Sequence, residues 1–201
     1  DAQVSQESPQ VLQRQSWEQL RKAINGLVNK VNTSNIKTLI PDLLQLNLVR
    51  GRGLLVRAIM KAQQASPGYT AVYASIVAVI NTKLPEIGEL HLRRVVAGFK
   101  KSYSRRDKLA TLALVKFVAH LVNQAVAHEL LALQLLSVLL EEPTDDSVEI
   151  ATDFVKEVGQ ILEEVSPQGL FAVFERIREI LQEGLIGERA QVSIERLFEV
   201  R

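Results

Sequence analysis

From Trp17 to the end of the chain, apolar residues recur at intervals of three and four, and no segment keeps the alternation of a strand. The pattern predicts an all-α protein. Its first periodic segment sets Trp17, Leu20, Ile24, Leu27 and Val31 on one helical face. Ser16 stands where an N-cap is expected, and Gln19 completes a Ser-x-x-Gln capping box three residues on. The polar stretch 1–15, with Pro9, reads as a flexible N-terminal arm, and 16–201 as the folded domain.

Start and stop signals divide the rest. Ser34 or Asn35 opens a short helix to Leu44, shortened or kinked by Pro41. Leu48 to Ala65 follows. Ser66-Pro67, a cap with proline at the first helical position, opens a helix from Gly68 to Asn81. Pro85 opens one to Ser102, Asp107 one over Lys108 to Gln124, and His128 to Glu141 comes next. Thr144-Asp145-Asp146-Ser147 starts a helix to Glu164, Ser166-Pro167 one to Glu183, and the last runs from about Glu188 to Val200.

Taken in pairs, these ten helices begin near residues 17, 48, 86, 127 and 167, at spacings of 31, 38, 41 and 40. A helical hairpin repeated every ~40 residues marks HEAT or armadillo arrays. The expected fold is a HEAT-like right-handed array of about five antiparallel helix pairs, with a globular helical bundle as the alternative. Lys108–Gln124 and His128–Glu141 are apolar nearly all round, as expected of helices covered on both faces.

Composition adds limits. With 201 residues, 47% of them hydrophobic, the chain can bury a core; at 5% aromatic, that core is mainly Leu, Val, Ile and Ala. There is no cysteine, hence no disulfide framework and no thiolate zinc site, which fits an intracellular protein. No signal peptide opens the chain. The longest apolar run, Leu130 to Leu140, spans 11 residues with Gln134 and Ser137 inside it. A crossing helix needs roughly 20, so the run reads as a buried helix and no membrane contact is expected. The net charge of +1 hides an asymmetry. Residues 1–108 hold 17 basic and 7 acidic side chains, a net of +10; residues 109–201 hold 7 and 16, a net of −9. The two halves suit different partners, or are both simply solvated helix faces.

Candidate chemistry is sparse. His91, His120 and His128 show no pair at the four-residue spacing that sets two ligands on one helix face, so a structural or surface role is expected. Arg50-Gly51-Arg52-Gly53 lacks the phosphate-loop pattern and reads as a turn with two exposed cations. Asp145 and Asp146 fit a helix start, where anions favour the dipole. No Gly-x-Ser-x-Gly elbow or triad stands out. The chain reads as non-enzymatic, with no catalytic residue, no metal and no cofactor. Arg93, Arg94, Lys100, Lys101, Tyr103, Arg105 and Arg106, with Lys108, form a basic run around an aromatic. Such a run grips a single RNA strand by charge and stacking, or is a solvated helix end whose cations suit the dipole. Gly26, Asn29, Lys30, Asn32 and Asn35 put a small residue, a cation and several amides where the first helix stops. That tip reads as a docking surface or as C-capping.

Several stretches spread over the domain carry a resemblance: 16–30, Val49-Arg50-Gly51-Arg52-Gly53-Leu54-Leu55, Ala65-Ser66-Pro67, Ile87-Gly88-Glu89-Leu90, Lys116-Phe117-Val118-Ala119-His120-Leu121, Pro143-Thr144-Asp145-Asp146-Ser147-Val148-Glu149 and Phe174-Glu175-Arg176. Over Ser16–Arg201 the chain resembles the helical-repeat domain named after the middle region of translation initiation factor 4G. Within that group it is most similar to the nucampholin family of spliceosomal splicing factors. The resemblance implies a nuclear scaffold for a DEAD-box RNA helicase of the initiation factor 4A type, form III, the core of the exon junction complex. The scaffold would hold the two helicase lobes apart, and so inactive, until assembly on spliced RNA, among other spliceosomal proteins. A translation-type scaffold that stimulates its helicase is the alternative. Family contacts centre on the end of the first helix, and the matching motif Asn-Gly-Leu-x-Asn-Lys carries them to Gly26, Asn29 and Lys30. The family's second helical domain and charged tails are missing, so the chain reads as a fragment of a longer protein.

Overall fold

The computed structural model describes residues 8–200, which form ten α-helices and no strand. They are α1 (Pro9–Lys30), α2 (Ile36–Leu44), α3 (Leu48–Ala65), α4 (Thr70–Lys83), α5 (Pro85–Ser104), α6 (Lys108–Asn123), α7 (Glu129–Glu141), α8 (Asp145–Val165), α9 (Pro167–Glu183) and α10 (Glu188–Val200). Hairpin partners pack as α1–α2, α3–α4, α5–α6, α7–α8 and α9–α10. Odd helices stack on odd (α1–α3, α3–α5, α7–α9), and even on even (α2–α4, α4–α6, α6–α8, α8–α10), so the chain is a two-layer helical-repeat array.

The start of α1 differs from expectation. Pro9 occupies its first turn and Ser8 is the N-cap, its hydroxyl 3.4 Å from the Val11 amide. Residues 9–15 are therefore helix rather than arm; 1–7 lie outside the described residues. Ser16 and Gln19 sit mid-helix and form no capping box. The Ser16 hydroxyl instead accepts from Arg50 across to α3 (2.8 Å). The longer helix also evens the repeat: odd helices begin at 9, 48, 85, 129 and 167.

Arg50-Gly51-Arg52-Gly53 is likewise not a turn but the first turns of α3, capped by Asn47, whose side chain accepts from the Arg50 amide (3.0 Å). Gly51 is there because α1 comes close: an added Cβ would lie 3.0 Å from Ile24 Cδ1 and Leu20 Cδ2. Ser66-Pro67 opens a short 3-10 turn, Pro67–Tyr69, before α4 begins. The Thr144 start holds as expected: Thr144 and Ser147 form a reciprocal capping box.

α6 lies at the centre, against α3, α4, α5, α7 and α8, with Phe117, Val118, Ala119 and Leu121 wholly buried. α7 does not share that burial. Leu130 is 54% exposed and Val138 42%, because α7 belongs to the odd layer and that layer is loosest between α5 and α7. The expected all-round burial of Leu130–Leu140 is corrected to burial on one face.

Ion pairs join the even layer. The Lys108 ammonium lies 2.7 Å from both Asp146 and Glu149 carboxylates, and the other Glu149 oxygen is 3.0 Å from Arg189 Nε. Hydrogen bonding to Asp146, then to Glu149, raises the Lys108 pKa. Glu157 faces both Lys116 and His120 at 3.4 Å; burial lowers the His120 pKa, which the nearby Glu157 charge opposes.

His91 is the anomaly of the core. It is wholly buried on α5, edge-on to the Phe117 ring (4.7 Å between centroids), and neither ring nitrogen has a hydrogen-bond partner. Burial first, and the Arg94 charge second, lower its pKa to about 3. The neutral ring is thus favoured in the folded state, and acid favours unfolding, because the unfolded histidine takes a proton near pH 6.5 that the native one refuses. Between pH 6.5 and 5, chemical denaturation should show the wild type losing ~2 kcal/mol relative to His91→Leu. Parallel pH profiles of the two proteins would refute this.

Candidate partner-docking surface

α1 stops at Val31, which turns extended (φ −66°, ψ 138°). A closed set of hydrogen bonds fixes the loop that follows. The Asn32 side-chain oxygen accepts from the Ser34 amide (2.9 Å), the Ser34 hydroxyl (2.6 Å) and the Asn35 amide (3.0 Å). The Asn35 side chain accepts from the Asn32 amide and donates to the Lys30 carbonyl, both at 2.8 Å. An orphan carbonyl of the helix end is thereby satisfied from outside the helix.

Two of the five tip residues, Asn32 and Asn35, are occupied by this network. The other three are free. Asn29 and Lys30 are exposed, and their side chains make no hydrogen bond or ion pair among the described residues. Gly26 is half-buried, and a Cβ there would meet nothing within 4 Å. At i, i+3 and i+4 the three share one helix face. Asn29 does not act as a left-handed cap: the positive φ values among the described residues belong to Arg106, Ala125 and Gly184. The same face continues one turn back to Lys22, also exposed, which the four-residue spacing could have flagged.

α3 positions this helix. Arg50 donates to the Ser16 hydroxyl and lies 5.7 Å from the Trp17 ring centroid, a cation–π contact. Ile24 and Val28 bury the opposite face of α1 completely. The corner is therefore an exposed edge on a helix held from behind by α3 and the core.

The basic run is divided. Arg93 pairs with Glu89 (2.6 Å), and Arg94 donates to the Gly53 carbonyl (2.9 Å). Tyr103 stacks on Phe99 (5.5 Å), its hydroxyl 3.4 Å from the Val138 carbonyl, and burial raises its pKa. The ring is turned into the α5–α7 seam rather than out toward a base. Lys108 belongs to the ion-pair seam described above. Lys100, Lys101, Arg105 and Arg106 remain exposed, with no ion pair among the described residues.

Of the other histidines, His128 caps α7, its Nδ1 accepting from the Leu130 amide (3.1 Å). Among the described residues, no group of His, Cys, Asp or Glu is arranged to hold a metal, and no helix is long and apolar enough to cross a membrane.

Five stacked hairpins in two layers define a helical-repeat array. Residues 21–201 match the MIF4G domain, and the chain belongs to that family. It is 56% identical over 200 residues to the pre-mRNA-splicing factor CWC22 homolog of Danio rerio, covering 100% of this chain and 20% of that protein. It is 56% identical over 199 residues to the Homo sapiens homolog (99% and 22%) and 54% identical over 200 residues to cwc22 of Aspergillus fumigatus (100% and 23%). The chain thus spans about a fifth to a quarter of the length of these relatives.

If the Asn35 amide fixes the corner, Asn35→Ala should cost ~1 kcal/mol in urea denaturation and raise hydrogen exchange at the end of α1. An unchanged midpoint and exchange rate would remove that role.

Proposed function

We propose that this domain serves a pre-mRNA splicing factor by gripping a DEAD-box RNA helicase of the initiation factor 4A type, form III, through Gly26, Asn29 and Lys30. The observation that carries the reading is the corner: an open glycine, a free amide and a free cation on one face of a helix end locked by the Asn35–Lys30 bond. Gly26 leaves room for a partner's backbone, the Asn29 amide donates and accepts, and Lys30 meets a carboxylate. The MIF4G match and the splicing-factor names of the relatives support it. On this reading the array is a non-catalytic scaffold. It keeps the helicase lobes apart and the ATPase silent, and delivers the motor to the spliceosome, in the nucleus and its speckles, for exon junction complex assembly.

The double variant Asn29→Asp, Lys30→Glu should abolish pull-down of purified form III helicase while leaving the circular dichroism unchanged. Retained binding by that folded variant would sink the site. Adding the wild-type domain should lower RNA-stimulated ATP hydrolysis; a rise would select the translation-type scaffold instead.

A second, auxiliary contact to RNA has its own support in Lys100, Lys101, Arg105 and Arg106, four unpaired cations at the end of α5. With the Tyr103 ring half-buried and stacked on Phe99, such a contact runs through phosphates, weakens with salt and ignores base identity. Gel shifts with single-stranded RNA should fade between 50 and 200 mM salt, and Tyr103→Leu should not alter them. A shift absent even at 50 mM salt would remove this contact.

A further inference from the structure

At the end of the array opposite the corner, α8, α9 and the close of α10 enclose a groove of about 440 Å³. Val155, Leu170, Phe174 and Leu197 line it, and Phe171, 56% exposed, stands at its edge. Gly159 lies in the α8 wall, and an added Cβ there would meet nothing within 4 Å, so the groove is open where a side chain would otherwise fill it.

The surroundings select the occupant. α8, α9 and α10 carry 13 acidic and 5 basic side chains, a net of −8. Lys156, which lines the groove, pairs with Asp153 at 3.3 Å. Glu163 at the opposite end has no ion pair among the described residues. An apolar floor in an acidic field fits an apolar stripe flanked by cations. Length fits too. Val155 to Glu163 runs ~12 Å along α8, and helical anchors at i, i+3, i+4 and i+7 span ~10.5 Å.

We propose that this groove binds a basic amphipathic helix of a partner protein, with apolar residues over Gly159 and against Phe171 and with lysine or arginine facing Glu163. The site is independent of the corner on α1, about which it assumes nothing.

The test uses three labelled 14-residue peptides: a Leu/Lys amphipathic helix, the same helix with Leu replaced by Gln, and the same with Lys replaced by Glu. Fluorescence anisotropy should show saturable binding of the Leu/Lys peptide alone, weaker at 300 mM than at 50 mM salt. Gly159→Leu, which fills the groove, and Phe171→Asp, on an exposed edge, should each weaken it tenfold or more with circular dichroism unchanged. Lys30→Glu should leave it unaltered. Equal binding to the wild type and Gly159→Leu overturns the proposal, as does absence of saturable binding. So does equal affinity for the Gln peptide, which would mean a charged surface without a groove. Sedimentation covers a second copy as occupant: self-association lost on Phe171→Asp would make the groove a contact between copies of the chain and defeat the partner helix.

Discussion

The arrangement depends on how a strongly basic run of helices is joined to a strongly acidic one, and the joint is the α6–α8–α10 seam. Glu149, only 14% exposed at its side chain, holds Lys108 of α6 with one oxygen and Arg189 of α10 with the other. Asp146 adds a second anion to Lys108, and Asp145 accepts from the Gly187 amide (2.7 Å), fixing the approach to α10. A half-buried carboxylate with two cationic partners is better compensated than an isolated surface pair, because each charge left unpaired there would face a partly desolvated site. Apolar packing of Phe117, Phe154 and their neighbours supplies the cohesion of the layer; the ion pairs fix its register.

With the seam fixed, the two ends of the array are independent surfaces. At the first, the loop after α1 satisfies itself: Asn32 and Asn35 close a network that includes the last helical carbonyl, so Asn29 and Lys30 need no internal partner. Preorganisation of that kind lowers the ordering cost of a partner that docks on the corner. At the other end, an apolar groove lies among three helices of net charge −8.

Much of this was legible in the sequence. The bounds of α3 match the expected Leu48 to Ala65, because Ser66-Pro67 marks its close. The Thr144 cap was equally plain, its acidic first turn reinforcing it. The start of α1 was not. Residues 9–16 are all exposed, so they carry no apolar period, and the helix there rests on a Ser8 cap, Pro9 and the propensities of Gln, Leu and Arg. Gly51 misled for the opposite reason: a glycine in a helix looks like a turn until the neighbour that excludes a side chain is known. The three candidate residues Gly26, Asn29 and Lys30 are nameable from their motif, but the different partners of Asn29 and Asn35 are not, since an asparagine's partner lies in the fold. Tyr103 shows the same limit. Its place among cations suggested an outward ring, and only the position of α7 turns it inward.

The looseness between α5 and α7 has a mechanical consequence. Helices packed firmly along one layer and loosely along the other bend most easily about the firm side, and here that side is the ion-paired α6–α8 seam. Tyr103 on Val138 is a slender tie across the gap. If the array changes curvature, the α5–α7 gap is where it would do so without separating a hairpin.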